Sequence, residues 1–444
     1  MKHFGKTVMQ IALPVTMQSL VQASFGVIDQ MMTGQLGSVS VAAIGLGGKF
    51  ASLFTVMASA IAAAAGILFA QYIGRDDTAG VSRMFALNAG VMTAVSGVFA
   101  AVSLLLPTGI MSLYSGDPAT VAVAGEYLFL VAAGFVPQAF SLLISTLLRC
   151  KGKAGFPLFA SLAAALMNTA LNYVLIFGKY GSPALGVRGA AIATTAARLA
   201  ECAILAVFLI AQARKIGFIL RFASLRERGE FILYLRVLVP LLVTEFFWGL
   251  GENVYAVIYG RIGTDDCAAM TLTNPIQSLT IGAMTGMASA SGIIVGKLLG
   301  ERKFDEGYVS GKQFIRWGLI GSLLLSCVLA AVNPFYVRIF NVSGEVKHLT
   351  SLVLLVYAVI APVKILNMIL GGGVLRSGGK TNYIMWIDMI GTWGFGVPLG
   401  LLAAFAFHWP IWAVYFTLSL EECVRLAITL VLFKKRVWIS ELAA

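Results

Sequence analysis

A chain of 444 residues that is 59% hydrophobic and only 12% charged is too apolar for a soluble domain, where about 25% of residues are charged. Its net charge of +12 comes from lysines and arginines scattered over separate polar stretches, so no concentrated surface for nucleic acid is expected. Apolar runs longer than about 18 residues recur along the whole length without residue-by-residue alternation, which excludes a transmembrane β-barrel and predicts an all-α, polytopic membrane protein.

Twelve transmembrane helices are expected, over 8–32, 40–72, 82–106, 119–147, 155–178, 188–211, 231–259, 267–299, 309–332, 346–373, 381–405 and 409–433. The first runs from about Val8 to Met32, too long for a signal peptide and without a small-residue cleavage site. It carries one charge, Asp29. A carboxylate in hydrocarbon costs roughly 2.5–3.5 kcal/mol on insertion scales, and such groups usually mark ion or substrate pathways.

Three polar residues of the same half lie at a similar depth. Asn168 and Asn172 are one turn apart on one face of helix 5, and Thr194 lies one to two turns into helix 6. A carboxylate, two amide oxygens and a hydroxyl are the hard oxygen ligands of a small cation, and they equally suit a carboxylate that takes up a proton. Interhelical hydrogen bonding is the alternative for the neutral three. Any metal at Asp29 is expected to be transient Na⁺, with none tightly bound.

The longest polar stretch, 212–230, reads as a cytoplasmic linker between an N-lobe, 1–211, and a C-lobe, 231–444. The C-lobe spans carry Glu245 and Glu252 on helix 7 with Trp248 between them, Lys364 on helix 10, Asp388 on helix 11, and Glu421 with Glu422 on helix 12. Lys364, the cation well inside a span, is the expected counter-ion, while Arg425 lies one turn from Glu421 and Glu422. Pairing for stability, a second relay and an anionic lining for a cationic substrate remain open for these residues.

The halves repeat. Pro14 and Pro240 stand at the same offset as Gly34 and Gly260, Gly37 and Gly263, Gly66 and Gly292, and Gly74 and Gly300. One residue further along, Leu148-Arg149 to Gly152-Lys153 matches Leu375-Arg376 to Gly379-Lys380. Six spans separate each residue from its mate, so the copies are parallel six-helix bundles related by an axis along the membrane normal, with a cleft between them. Most of the 32 lysines and arginines fall on the side of the termini; the opposite loops hold Lys179, Arg188, Arg261, Arg338 and Lys347. Both termini are therefore placed in the cytoplasm. The scattered Cys150, Cys202, Cys267, Cys327 and Cys423 read as small core residues, and His3, His348 and His408 make no relay.

These residues resemble the multidrug and toxic compound extrusion (MATE) transporters over nearly the whole chain. The resemblance is carried by Ile11-Ala-Leu-Pro14, Asp29, Gly34-Gln-Leu-Gly37, Asn172-Tyr-Val-Leu-Ile-Phe-Gly178, Gly186-Val-Arg-Gly-Ala-Ala-Ile-Ala-Thr194 and Leu375-Arg-Ser-Gly-Gly379. It implies two six-helix lobes, export driven by an inward proton or sodium gradient, and an N-lobe cation site of Asp29, Asn168, Asn172 and Thr194. Some members place a glutamate on helix 7 and an aspartate on helix 10; here Trp248 takes the first position and helix 10 offers Lys364, which is closer to members with Glu-x-x-Trp.

The expectation is a monomeric antiporter of the plasma membrane, not an enzyme and without a cofactor, that exports small, cationic, amphiphilic organic compounds. Phe246, Phe247 and Trp248 are available for stacking. A flippase or exporter of a lipid-linked or other amphiphilic metabolite is the alternative. Neither HExxH nor GxSxG with triad partners occurs, and nothing repeats as a selectivity filter.

Overall fold

The computed structural model describes residues 4–213, 228–340, 342–440 and 442, so most of the expected linker lies outside the described residues. Helices dominate for a simple reason: in hydrocarbon every backbone N–H and C=O must find its partner within the chain, and long runs of Ala, Leu, Ile, Val and Phe do this by coiling. In chain order these are α1 (Phe4–Thr33), α2 (Ser38–Gly74), α3 (Thr78–Leu105), the short α4 (Pro107–Ser112), α5 (Pro118–Ala132), α6 (Phe135–Cys150), α7 (Gly155–Phe177) and α8 (Val187–Gln212). There follow α9 (Arg228–Ile262), α10 (Thr264–Gly300), α11 (Phe304–Ile339), α12 (Gly344–Ile369), α13 (Thr381–Met389), α14 (Val397–Leu401) and α15 (Ile411–Lys434). No strand occurs among the described residues.

Among the described residues ten helical segments are long and apolar enough to cross a bilayer, and α5 with α6, bent by 47°, makes an eleventh. The twelfth expected span is α15. Its 24 residues reach about 36 Å at 1.5 Å per residue, but Glu421, Glu422 and Arg425 lower its apolar content. The bend between α5 and α6 falls at Gly134, where a side chain would collide with Arg198 of α8.

The chain folds into two compact units. One comprises Met17–Phe69 and Asp76–Phe231, the other Met1–Thr16, Ala70–Arg75 and Ile232–Ala444. In the first, α7 packs along α8, and α6 packs on α3 and α8. Phe54 lies at its centre, 4.8 Å from Phe135 and 5.5 Å from Phe99 between ring centroids. In the second, the largely buried α12 packs on α10, α11 and α15. The last turns of α2 belong here because glycine lets them touch α10: a Cβ on Gly74 would strike the Lys297 carbonyl, and one on Gly300 the Gln71 carbonyl.

The repeat reappears in the backbone. Gly152 and Gly379 share positive φ, 74° and 72°, after equivalent helices, and Asp76 and Arg302 do so at 57° and 60°. The halves differ in helix regularity. Among the described residues the second unit has three π-helical stretches, Leu370–Leu375, Ile390–Gly396 and Leu402–Ala406, two of them glycine-rich. Such insertions are frequent at functional sites, and here the first two flank the cluster described below.

Candidate functional site

Each unit holds its own cluster of polar groups. In the first, α1 and α7 bring Asp29 against Asn172, whose Nδ2 donates to Asp29 Oδ1 at 2.5 Å and to Asn168 Oδ1 at 3.2 Å. Asn172 is fully buried and its Oδ1 has no hydrogen-bond partner among the described residues. Leaving a buried amide oxygen unpaired costs about 1–3 kcal/mol. Asp29 makes no ion pair with any lysine or arginine among the described residues. Thr194 on α8 is half-buried and hydrogen-bonds none of these three; its neighbour Thr195 donates to Leu130 O at 3.0 Å. The structure thus joins Asp29, Asn168 and Asn172 and leaves Thr194 out of their hydrogen bonds.

In the second unit α9, α12, α13 and α15 surround a cavity of about 310 Å³. Glu245, Trp248, Lys364, Asp388, Glu422 and the two arginines Arg376 and Arg425 line it. Arg425 is the organising cation. It lies 3.7 Å from Asp388, 3.6 Å from Glu421 and 3.9 Å from Glu422, and it donates to Thr392 Oγ1. Tyr255 donates to Glu421 at 2.6 Å, and Asn367 donates to Glu422 at 2.8 Å. Arg376 lies 3.7 Å from Glu245.

This arrangement corrects one expectation. Lys364 was the expected counter-ion for the acids of this half, yet it makes no ion pair among the described residues. Its role falls to Arg425 and Arg376. A guanidinium offers five donors in a planar fork and can serve three carboxylates; an ammonium at the end of a flexible stem serves fewer. Glu252 is exposed and does not line the cavity. Trp248 is 45% exposed at the cavity wall, and Phe247 meets Trp393 edge-on at 6.0 Å.

Several residues escaped the sequence reading. Gln18 and Ser161, both buried, form with the half-buried Glu201 a second polar chain in the first unit, and Tyr255 and Asn367 complete the second cluster. Glu201 carried a signal, being a carboxylate inside an apolar run like Asp29.

The model of the MatE family matches residues 14–174 and again 240–402, one copy in each half. The chain belongs to the MATE family. The transporter is 27% identical over 433 residues to "Probable multidrug resistance protein NorM" of Rhizobium meliloti, covering 92% of this chain and 87% of that one. It is 23% identical over 435 residues to "Uncharacterized transporter YisQ" of Bacillus subtilis, covering 96% and 94%. Its fold matches a solved structure of the Vibrio cholerae MATE transporter VcmN in the bent form, with TM-score 0.88 at 18% identity, covering 98% and 97% of the two chains.

Proposed function

We propose that this MATE transporter is a cation-coupled antiporter, driven by H⁺ or Na⁺, that exports amphiphilic organic cations by alternating access between an N-lobe and a C-lobe. In this reading it acts as a monomer in the plasma membrane with both termini cytoplasmic. The observation that carries it is Asp29: an intramembrane carboxylate without a cationic partner among the described residues, hydrogen-bonded to an amide whose own oxygen is unpaired. A fixed charge of that kind is stable only if something neutralises it in part of the cycle.

Arrival of the ion from outside relaxes the hold of Asn172 on Asp29. α1, which carries Pro14 within its length, then shifts and substrate leaves. The cavity with Glu245, Trp248 and Asp388 offers carboxylates and an aromatic face to a flat lipophilic cation. The names of the NorM relatives support export of drugs.

The test is ethidium efflux from proteoliposomes under an imposed proton gradient and, separately, a sodium gradient. One gradient alone is expected to drive efflux, and Asp29→Asn is expected to abolish it while expression persists. Full efflux by that variant would end the reading. A second reading, export of a metabolite with an anionic headgroup, draws on Lys364, a cation in the cavity without an ion-pair partner among the described residues. Lys364→Met separates them, since it spares ethidium efflux under the first and stops transport under the second.

A further inference from the structure

α1 and α7 are joined at two levels. Gln18 Nε2 donates to Ser161 Oγ at 2.6 Å, and Asn172 Nδ2 donates to Asp29 Oδ1 at 2.5 Å, each pair being 143 positions apart. The two rungs therefore lie eleven residues apart on both helices, about three turns or 16 Å along parallel axes. The upper rung ends in the coupling carboxylate. The lower one also ends in a carboxylate, but by a longer route.

Arg149 Nη2 of α6 donates to Gln18 Oε1 at 2.7 Å, and Ser161 Oγ donates to Glu201 Oε1 of α8 at 2.7 Å. Every donor points the same way, from guanidinium through amide and hydroxyl to carboxylate. Such a chain is charge-assisted at both ends, and each link polarises the next. Gln18 and Ser161 are buried, with 5% and 4% exposure, so water does not compete for these bonds.

We propose that Glu201 is a second ion-responsive carboxylate of this transporter: ionised, it holds α1 to α7 through Ser161 and Gln18, and protonated, it lets that grip go. This rests on the reading of Asp29 as the coupling carboxylate and adds a second charge that must be answered before α1 can move. Glu201 is a positioning residue, acting on α1 through Ser161.

The groups facing Glu201 are Ser161 from α7, Arg149 from α6, and Arg198 and Cys202 from its own helix. Arg149 Nε and Arg198 Nη1 keep donors without partners among the described residues. Both arginines act on Glu201 through space, so its charge matters beyond its own bond. Glu201 forms no ion pair with either arginine among the described residues, but both feel its charge; a proton on Glu201 removes that charge and weakens the acceptor at the end of the chain, and the link at Gln18 loosens with it. α1 is thus gripped at two heights, by a carboxylate it carries and by one it reaches through two neutral side chains.

Hydrogen–deuterium exchange of the purified full-length transporter, corrected for intrinsic rates, reads this grip without requiring transport. Wild type is expected to exchange the α1 amides around Gln18 faster in mildly acidic than in mildly alkaline buffer. Glu201→Gln is expected to exchange them about tenfold faster in alkaline buffer and to lose the pH response. Ser161→Ala, which leaves every charge in place, is expected to do the same, and Asp29→Asn to loosen α1 around residue 29 alone. Wild-type protection and pH response in both Glu201→Gln and Ser161→Ala would overturn the proposal. Failure of wild type to move ethidium would overturn the antiport reading and leave the exchange result standing, so the two failures are distinguishable.

Discussion

The two halves place their polar groups at equivalent positions and use them in opposite ways. By the repeat, Asp29 of α1 corresponds to Tyr255 of α9, Gln18 to Thr244, Arg149 to Arg376 and Ser161 to Asp388. In the N-terminal half the carboxylate sits on the first helix and meets an amide. In the C-terminal half that place holds a phenol, which donates to Glu421, an acid within 3.6 Å of Arg425. The equivalent arginines differ likewise: Arg149 contacts the neutral Gln18, whereas Arg376 contacts Glu245. One half keeps Asp29 without a cationic partner among the described residues, and the other ties Glu245, Asp388, Glu421 and Glu422 to guanidiniums. In the proposed antiport, ion coupling therefore belongs to the first half, and the second supplies a stable, charged wall to its cavity.

The sharpest way to break this contrast is Arg425→Leu. It leaves Asp388, Glu421 and Glu422 facing one another without their cation, and removing one partner of a buried ionic network typically costs about 3–5 kcal/mol. The expected result is a large loss of thermal stability of the detergent-solubilised protein, read by fluorescence-detected size exclusion. A melting curve equal to wild type would show that these acids do not depend on Arg425.

Asp29→Asn is expected to do the reverse. The isosteric amide keeps a partner for Asn172, so the melting temperature shifts by no more than a few degrees, about 1 kcal/mol, while ethidium efflux disappears. Tyr255→Phe comes next: it removes one hydrogen bond to an acid that retains Arg425, costing about 1 kcal/mol of stability and sparing efflux. Loss of efflux in this variant, with stability intact, would move the ion chemistry toward the C-terminal half.

Much of this was legible in the sequence, because a bilayer punishes ambiguity. Apolar runs fix the helices, and the Gly and Pro series from Pro14 and Pro240 onward fixes the repeat. Asp29 with Asn168 and Asn172 could be read from depth alone, since one residue is a costly charge and the others share a helical face. The choice of Lys364 over Arg425 failed because depth in a span says nothing of rotation about the helix axis. Arg425 faces α13 and the acids one turn back on its own helix, and only packing shows it. The Gln18–Ser161 rung was invisible for a related reason: a neutral amide and a hydroxyl in apolar helices give no signal until the helices are set side by side.

The smallest expected difference between the halves lies at two helix starts outside the spans. α5 begins from Asp117, whose carboxylate accepts the Thr120 hydroxyl at 2.6 Å and the N–H groups of Thr120 and Ala119. α12 begins from Ser343, whose hydroxyl accepts the Val346 N–H at 3.2 Å. The Thr120 hydroxyl, then its backbone N–H, holds the Asp117 carboxyl below its ordinary range. A carboxylate whose folded value is depressed stabilises the folded helix end above the unfolded value, and that contribution fades as pH falls through the folded one. Acidification should therefore fray the first turn of α5 and leave the first turn of α12 unchanged, as read by amide exchange corrected for intrinsic rates. Asp117→Ser should give α5 the pH-indifferent start of α12; an acid-dependent fraying that survives this substitution would place its origin elsewhere in the loop.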